Sequence, residues 1–341
     1  MPLTPFLHRV AAGANLTSDE AFQAMSALLE GSSSESVIAG FLVALRMKGE
    51  TKAELAGFAR AMRERMIAVE AGADVVDTCG TGGDGANTFN ISTVAAFVMA
   101  GAGARVAKHG NRSLSSQTGS ADVLEALGVR VAMTPEEAAR AICEIGIGFL
   151  FAPHLHPAMR YAQPVRRALK LRTVFNLLGQ LANPARASRQ LIGAPSPHAA
   201  ELMAEALAEL GAVHAFVVHG HDGLDEITTT GPTSVWQVCA GNVEKAVWTP
   251  ADFELERAPL EALHGGSAAS NALIAQEVLT GEPGPRRDIV LANAAAGLVA
   301  AGVSPDLRSG MKLAQESIDS GRALQKVELL KNNFPAADPL F

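Results

Sequence analysis

The segment Asp77-Thr-Cys-Gly-Thr-Gly-Gly-Asp-Gly85, followed by Asn87-Thr-Phe-Asn-Ile-Ser-Thr93, decides the fold of this chain. The residues Asp74–Asp77 predict a short strand before it, and the apolar run Thr93–Gly101 predicts a helix after it. Four glycines within six residues let backbone N–H groups turn toward an anion without interference from Cβ atoms. The start of the following helix adds partial positive charge. The segment therefore predicts an anion-binding loop between a strand and a helix.

From Ala73 onward, short β-branched runs alternate with alanine-rich helical segments. The predicted strands are Val75–Asp77, Arg105–Lys108, Val129–Ala132, Gly148–Ala152, Ala215–Val218 and Ser234–Val238. The predicted helices between and after them include Ala121–Leu127, Glu136–Glu144, Asn271–Leu279, Ile289–Gly302 and Gly310–Asn332. This alternation predicts an α/β fold with a mostly parallel, doubly wound sheet that binds ligands at the carboxyl ends of its strands.

Residues 1 to about 70 show helical periodicity and no strand signal. Thr17-x-x-Glu20 and Thr51-x-x-Glu54 have the form of capping boxes, and Gly31 and Gly49 stand where helices would end. We expect a small all-helical domain over residues 1–72, completed by a helical segment near 156–190, beside an α/β domain over 73–341. Such an apolar helical cluster is a reasonable dimer surface, although packing against the rest of the chain explains it equally well.

Composition limits the class of protein. Of the 341 residues, 48% are apolar and 18% are charged, which provides a large interior and argues against disorder. The net charge of −7 argues against a general nucleic-acid binder but allows a phosphorylated small molecule. The cysteines Cys79, Cys143 and Cys239 are isolated, and the sequence shows neither a secretory signal nor an apolar run of about 20 residues. We therefore expect a reducing, cytoplasmic location.

The glycines Gly80, Gly82 and Gly85 also satisfy the GxGxxG pattern of dinucleotide sites. A nicotinamide site usually has an acidic residue at the end of the second strand, whereas Arg105–Lys108 is basic there. The loop is also separated from its helix by several hydrogen-bonding side chains. These features favour phosphate recognition over dinucleotide binding, with a purely structural turn as the remaining alternative.

The segment Lys108-His-Gly-Asn-Arg-Ser-Leu-Ser-Ser116 concentrates two permanent cations, an amide and three hydroxyls after the second predicted strand. A solvated surface loop is the usual explanation for such a run. The segment lies where the sheet is expected to bind ligands, however, and its fixed charges are positive in an acidic protein. A polyanionic substrate accounts for both facts.

Acidic side chains cluster in Asp222-Gly-Leu-Asp225-Glu226, which follows the predicted strand Ala215–Val218. Two adjacent carboxylates in a loop can both reach a hard cation, and Mg²⁺ favours one or two carboxylates together with substrate oxygens and water. A solvated acidic turn is the alternative. Beside a phosphate loop and a basic strand end, a magnesium site is the better interpretation.

The other candidates are weaker. His154 and His156 have no third ligand at a suitable spacing, so we interpret them as loop or core histidines. Arg166-Arg167 lies on the helical segment that interrupts the strand pattern. If that segment closes over the sheet edge, one of the two arginines can bind a carboxylate through a bidentate contact.

Five segments together resemble the anthranilate phosphoribosyltransferase family of tryptophan biosynthesis. They are DTCGTGGDG from Asp77, NTFNIST from Asn87, KHGNRSLSSQTGSADVLEALG from Lys108, FLFAPHLHPAMRYAQPVRRALKLRTVFNLLGQLANP from Phe149 and HGHDGLDEITTTGPT from His219. The resemblance covers essentially the whole chain, and the motifs are long and occur in the same order. Gln180 stands where the family usually has proline, and Gln117 where a basic residue is common, but neither change removes a charge that the reaction needs.

This resemblance implies transfer of the 5-phosphoribosyl group from phosphoribosyl diphosphate (PRPP) to the amine of anthranilate, the second step of tryptophan synthesis from chorismate. It implies Mg²⁺ held by Ser92, Asp225 and Glu226, and anthranilate bound by Gly80, Asn111 and Arg166, with Arg166 facing the carboxylate. The implied contacts to the sugar donor are Gly80, Gly83, Asp84, Thr88, Asn90, Ile91, Ser92, Thr93, Lys108, His109, Gly110, Asn111, Arg112, Ser113, Leu114, Ser115, Ser116 and Ser120. It also implies a homodimer formed through the helical domain, with no nucleic-acid or membrane partner.

The chemistry agrees with these implied roles. Breaking the bond between ribose C1 and diphosphate builds negative charge on the leaving group, and Mg²⁺ and Lys108 can stabilise that charge. An aromatic amine is already a competent nucleophile in its neutral form, so we assign no catalytic base. Two alternatives remain open: a pyrimidine nucleoside phosphorylase, which shares the general fold, and a non-catalytic relative that binds nucleic acid.

Overall fold

The chain begins with a group of four helices in a computed structural model that describes residues 2–82, 85–113 and 117–335. They are α1 (Thr4–Ala11), α2 (Ser18–Leu29), α3 (Glu35–Lys48) and α4 (Lys52–Arg65). Thr17 and Thr51 cap α2 and α4 in complete capping boxes with Glu20 and Glu54, which confirms both predicted helix starts. Gly49 ends α3 with a φ of 88°, a conformation that glycine adopts without strain.

The rest of the chain is built on a sheet of seven strands within the described residues. The strands are β1 (Val75–Gly80), β2 (Arg105–Gly110), β3 (Ile147–Phe151), β4 (Arg189–Gly193), β5 (His214–Gly220), β6 (Thr233–Cys239) and β7 (Asn242–Trp248). Their spatial order is β3-β2-β1-β4-β5-β6-β7, with parallel pairing from β3 to β5 and antiparallel pairing from β5 to β7. This confirms the mostly parallel sheet. The winding direction reverses between β1 and β4, where such sheets bind ligands.

One predicted strand is wrong, and two observed strands were not predicted. Val129–Ala132 is not a strand: the run pairs with none of the described strands, and β3 forms the edge of the sheet beside β2. The sequence interpretation also missed β4, whose run Arg-Gln-Leu-Ile-Gly is short and begins with polar residues. It missed β7 as well, since this edge strand is largely exposed and mixes charged with apolar side chains.

Helices pack on both faces of the sheet. They are α5 (Ile91–Gly101), α6 (Ser120–Ala126), α7 (Pro135–Glu144), α8 (Ala152–Leu155), α9 (Gln163–Leu169), α10 (Phe175–Leu181), α11 (Pro197–Glu209), α12 (Ala268–Leu279), α13 (Pro285–Ala300), α14 (Leu307–Asp319) and α15 (Arg322–Asn333). Lys170, with a φ of 50°, separates α9 from α10, so the predicted helical stretch is broken there. No helix in the described parts of the chain is both long enough and apolar enough to span a bilayer.

Two hydrophobic cores lie on opposite faces of the sheet. Alternating residues of a strand enter different cores: Leu191 belongs to the core around α5 and α13, whereas Ile192 belongs to the core around α1–α4. The second core also contains Val165 of α9 and Leu178 of α10. These two late helices therefore share their buried apolar surface with the N-terminal helices, next to the carboxyl edge of the sheet.

Candidate active site

The glycine loop lies at the carboxyl end of β1. The strand ends at Gly80, and Gly82 and Gly85 follow with φ values of 69° and 80°. Residues with a Cβ rarely adopt such angles, so the loop requires glycine at these two positions. After the loop, Thr88 forms an isolated bridge with His264, which ties the chain to the segment before α12.

The loop after β5 lies directly on the ends of β1 and β4. The backbone N–H of Gly82 donates to Asp225 Oδ2 at 2.6 Å, and the Thr81 hydroxyl donates to the same oxygen at 3.2 Å. A Cβ on Gly193 would lie 1.5 Å from the Asp225 carbonyl oxygen, and a Cβ on Gly80 would lie 2.6 Å from its carboxylate. Both strand ends must therefore be glycine for Asp225 to reach the glycine loop.

The second carboxylate of this loop reaches the start of α5. Glu226 Oε1 accepts a hydrogen bond from the backbone N–H of Ser92 at 3.2 Å. Asp225 and Glu226 are only 7% and 8% exposed. Because a helix N-terminus carries partial positive charge, it stabilises a buried carboxylate at this position. Of the two adjacent acids, Asp225 thus accepts a hydrogen bond from the glycine loop, and Glu226 accepts one from the α5 N-terminus.

The oxygen ligands available here fit a hard divalent cation. Asp225 and Glu226 provide two carboxylates, and the Ser92 hydroxyl lies next to the amide that binds Glu226. Within the described ranges, no group of three or more His, Cys, Asp or Glu side chains could hold a metal ion. Mg²⁺ needs only one or two carboxylates, since water and substrate oxygens complete its octahedral shell. The residues present therefore fit Mg²⁺ bound together with a substrate.

The segment at the start of α5 is largely committed to the fold. The side-chain amide of Asn90 donates to the Thr118 carbonyl at 3.2 Å and accepts from Asn271 at 2.9 Å. The side chains of Ile91 and Thr93 are buried. Any ligand contact from these last two residues must consequently come from the backbone, where their N–H groups already donate to the Phe89 and Asn90 carbonyls.

Lys108 lies between β1 and the start of α5. Its Nζ donates to the Thr78 carbonyl at 2.6 Å and lies 3.5 Å from the Ser92 hydroxyl. The side chain is buried, so its charge is poorly screened by solvent. Lys108 is therefore a fixed cation beside the candidate metal ligands.

Asp77 of β1 and Asn183 form a buried hydrogen-bonded pair near Lys108, which the sequence interpretation missed. Asp77 accepts from the His109 backbone N–H at 3.1 Å and from the Asn183 amide at 2.7 Å. Asn183 also donates to the Ala107 carbonyl at 2.8 Å. Burial raises the pKa of Asp77, while the charge of Lys108 acts in the opposite direction. A carboxylate inside the apolar run of β1 was the available sequence signal.

Two neutral histidines lie behind the end of β2. The His109 ring Nδ1 lies 3.0 Å from the Gly179 carbonyl oxygen, and the ring centroids of His109 and His156 are 5.1 Å apart. Burial lowers the pKa of His109 to about 3 and that of His156 to about 4. Both rings are therefore neutral near pH 7, and His156 is a core residue.

Gly110, Asn111 and Ser120 form a tightly packed corner at the end of β2. A Cβ on Gly110 would lie 2.3 Å from the Ser120 hydroxyl, which donates to the Asn111 carbonyl at 3.3 Å. The Asn111 side-chain oxygen accepts from the Arg112 backbone N–H at 2.7 Å. The corner thus fixes the direction in which the following basic segment leaves the sheet.

Arg112 is paired with acidic side chains of the same chain. Its guanidinium donates to both carboxylate oxygens of Glu125 at 2.6 Å and to Asp122 at 3.1 Å. Asp122 also accepts from the Ser113 backbone N–H at 3.2 Å. Of the two predicted cations, Arg112 therefore stabilises its own loop.

Five of the predicted donor contacts lie outside the described residues: Gly83, Asp84, Leu114, Ser115 and Ser116.

Arg166 lies on α9, on the helical side of the site. Its guanidinium stacks over the Phe175 ring at 5.3 Å, and burial lowers its pKa. In the described part of the chain, no carboxylate forms an ion pair with it. From the next helix, Gln180 Nε2 donates to the Gly80 carbonyl at 3.1 Å. The helix α10 thus lies against the ends of β1 and β2, which it contacts through Gln180 and Gly179.

Two family models together match most of the chain. The glycosyl transferase family, helical bundle domain, matches residues 4–66. The glycosyl transferase family, a/b domain, matches residues 72–324. The two matches together cover the N-terminal helices, the sheet and all the site residues described above.

Relatives and solved structures agree with this match. Anthranilate phosphoribosyltransferase of Solibacter usitatus is 60% identical over 97% of this chain and 98% of the relative. The Chloroflexus aggregans enzyme of the same name is 55% identical, with coverage of 93% and 94%. The crystal structure from Thermus thermophilus superposes with a TM-score of 0.90 at 46% identity, covering 95% and 97% of the two chains. The Saccharomyces cerevisiae enzyme in complex with PRPP and Mg gives 0.87 at 29% identity, with 97% coverage of both. On these grounds, the chain belongs to the anthranilate phosphoribosyltransferase family.

Proposed function

We propose that this chain transfers the 5-phosphoribosyl group of PRPP to the amine of anthranilate and releases diphosphate, the second step of tryptophan synthesis from chorismate. The main observation behind this proposal is a pair of hydrogen bonds at one end of the sheet, which join Asp225 to Gly82 and Glu226 to Ser92. Function follows from such a site rather than from the fold alone. Relatives aligned over nearly the whole chain bear the same name, which supports the assignment.

The main requirement of the reaction is to stabilise the diphosphate as it leaves ribose C1. The α5 N-terminus and the buried Lys108 ammonium are held in place by the fold beside the glycine loop. Donors fixed in advance stabilise developing negative charge without reorganising during the reaction. Mg²⁺ held by Ser92, Asp225 and Glu226 would supply further positive charge for the diphosphate oxygens.

The proposed donor contacts follow the carboxyl edge of the sheet. Ile91 and Thr93 would contribute backbone amides, since their side chains are buried. Arg112 would have to share its guanidinium with Glu125 or exchange partners when PRPP binds. The remaining proposed contacts are Gly80, Gly83, Asp84, Thr88, Asn90, Ser92, Lys108, His109, Gly110, Asn111, Ser113, Leu114, Ser115, Ser116 and Ser120.

Anthranilate would bind between this edge and the helices α9 and α10. Arg166 would pair with its carboxylate, because the guanidinium is partly desolvated and no described carboxylate already neutralises it. Gly80 and Asn111 would complete the acceptor site. Holding the amine in line with ribose C1 lowers the entropic part of the barrier.

No residue needs to act as a strong base. The neutral amine of anthranilate is itself the nucleophile, and its proton can leave after the C–N bond has formed. His109 is itself a proposed donor contact, but its pKa of about 3 makes it a poor proton acceptor near pH 7. Binding and orientation by the residues above therefore account for the chemistry.

The assembly and cellular location are also proposals. Met47 of α3 and Leu171 next to α9 are 82% and 48% exposed, which supports a homodimer through the helical domain. We assign residues 1–72 and the segment near 156–190 to that domain, and the remainder of residues 73–341 to the α/β domain. The cysteines are free, and Cys143 and Cys239 are exposed, which supports a reducing cytoplasm.

The proposed function can be tested with purified protein. Anthranilate fluorescence should decay when both PRPP and Mg²⁺ are present, and the decay should stop when EDTA is added. Phosphorolysis of thymidine or uridine without anthranilate turnover would indicate a nucleoside phosphorylase instead. Salt-sensitive binding of single-stranded DNA with no turnover would indicate a nucleic-acid-binding relative.

A further inference from the structure

A cation-rich segment joins the helical side of the molecule to the active site. Between Glu144 and Glu201 the sequence contains seven Lys or Arg residues and no Asp or Glu. Arg167, Lys170 and Arg172 of this segment are exposed, and no carboxylate in the described part of the chain pairs with them. In a protein with a net charge of −7, such a segment requires an explanation.

Arg172 differs from its basic neighbours because it bridges two distant parts of the chain. Its Nη2 donates to the carbonyl of Gly82 in the glycine loop at 2.5 Å. Its own backbone carbonyl accepts a hydrogen bond from the guanidinium of Arg46 on α3. A continuous line of contacts therefore runs from the N-terminal helices through Arg172 to the loop.

Gly82 is held from both sides by charged side chains. Its N–H donates to Asp225 at 2.6 Å, and its carbonyl accepts from Arg172. Glycine has more conformational freedom than any other residue, and the positive φ of Gly82 lies in the region that this freedom allows. Fixing both polar groups of Gly82 restricts this residue to one conformation before a ligand arrives.

We propose that Arg172 is a positioning residue for the sugar donor, which holds the glycine loop ready for the anion and links it to the helical domain. The inference rests on the proposed function, since it assigns PRPP to this loop. A charged guanidinium forms a stronger hydrogen bond to a carbonyl than a neutral donor does. Arg172 acts through the backbone of Gly82 and not on the reacting atoms.

Arg172→Ala and Arg167→Ala form a matched pair of variants. Both remove one exposed positive charge from the same segment, but only the first removes the contact with Gly82. We expect Arg172→Ala to raise the KM for PRPP about tenfold, with a smaller change in the KM for anthranilate. Arg167→Ala should change either constant by no more than about twofold. Both variants should melt at the temperature of the wild-type protein, because both side chains are exposed.

Hydrogen exchange measured without ligands provides a second readout that does not depend on turnover. The amides of Thr81 and Gly82 should exchange faster in Arg172→Ala than in the wild-type protein or in Arg167→Ala. Arg46→Ala, which removes the outer contact and keeps Arg172, should shift exchange in the same direction by a smaller amount.

Two outcomes would overturn the positioning role. One is an equal rise in the KM for PRPP in both variants with an equal loss of salt dependence, because charge alone would then explain the effect. The other is unchanged exchange at Thr81 and Gly82 in Arg172→Ala. If the wild-type protein turned over no anthranilate, the proposed function would fail, but the exchange comparison would still decide whether Arg172 orders the loop.

Discussion

The proposed donor side, around Lys108 and Asp225, and the proposed acceptor side, around Arg166, are built differently. On the donor side, Lys108 and Asp225 are buried and hydrogen-bonded to the backbone of neighbouring segments. On the acceptor side, Arg166 stacks on Phe175 and has no ion-pair partner in the described part of the chain. The fold therefore fixes the donor side in advance, whereas the acceptor side keeps a cation available.

This difference fits the demands of the two substrates. The donor carries the leaving group, whose developing charge is best stabilised by groups that do not move during the reaction. The acceptor is small and already nucleophilic, so it needs chiefly to be oriented. Changes on the donor side should therefore damage the chemistry or the fold, and changes on the acceptor side should alter one KM.

The largest effect is expected from Asp225→Asn combined with Glu226→Gln. The double variant removes both carboxylates proposed to bind Mg²⁺, so kcat/KM should fall by about 10³-fold and should respond much less to the Mg²⁺ concentration. Steady-state assays across a magnesium titration measure both effects. Glu244→Gln, a change on the exposed edge strand β7, serves as the control. An unchanged magnesium response in the double variant would remove the metal assignment.

Gly193→Ala should disturb the donor side through packing alone. The new Cβ would lie 1.5 Å from the Asp225 carbonyl oxygen, so the backbone must shift. We expect the free energy of unfolding to fall by about 3 kcal/mol, measured by urea denaturation. At Gly231 a Cβ meets no atom within 4 Å, so Gly231→Ala is the matched control. Equal stability of the two variants would show that the loop after β5 does not pack against Gly193 as described.

On the acceptor side, Arg166→Ala should raise the KM for anthranilate by about 10- to 100-fold, because a charged partner of the carboxylate is lost. The KM for PRPP should change by no more than about twofold. Arg167→Ala, one position further along α9, removes the same charge from an exposed position. If both substrate constants rose together in Arg166→Ala, the acceptor side would not be separate from the donor side.

The last prediction concerns the slope of stability against pH and the buried histidine His156. In the unfolded chain a histidine titrates near pH 6.5, whereas in the folded chain the pKa of His156 is about 4. Between these values only the unfolded state binds the proton, so stability should fall as the pH falls from about 6.5 to about 4. Each such histidine contributes at most about 1.4 kcal/mol per pH unit.

Urea midpoints measured across this pH range test the point. His156→Gln should flatten the slope of stability against pH, whatever its effect on stability at pH 7. An identical slope in the variant would mean that His156 is protonated in the folded protein, or that another group dominates the titration.

Local signals in the sequence were sufficient to predict much of the donor side. The glycine-rich turn between an apolar strand and an apolar helix placed β1 and α5 within a few residues of their observed bounds. The capping boxes also predicted the starts of α2 and α4 correctly. Each box depends on two residues only three positions apart, so it can be recognised in the sequence.

Contacts between distant residues could not be predicted in this way. Asp77 and Asn183 are 106 positions apart, and Arg172 and Gly82 are 90 apart. No periodicity joins such pairs, because tertiary packing alone brings them together. The same reason explains the error at Val129–Ala132: its residues suit a strand, but tertiary packing leaves this run outside the sheet.

The burial of α5 has a practical consequence. This helix starts at the ligand edge, is buried over almost its entire length, and packs against α13, α14 and α15. A molecule bound at its first turn is thus coupled to a buried layer of helices. A ligand that binds only the folded state adds to the free energy of unfolding. The melting temperature therefore rises with the fraction of protein that has ligand bound. Thermal melting can therefore rank the affinities of catalytically dead variants for either substrate.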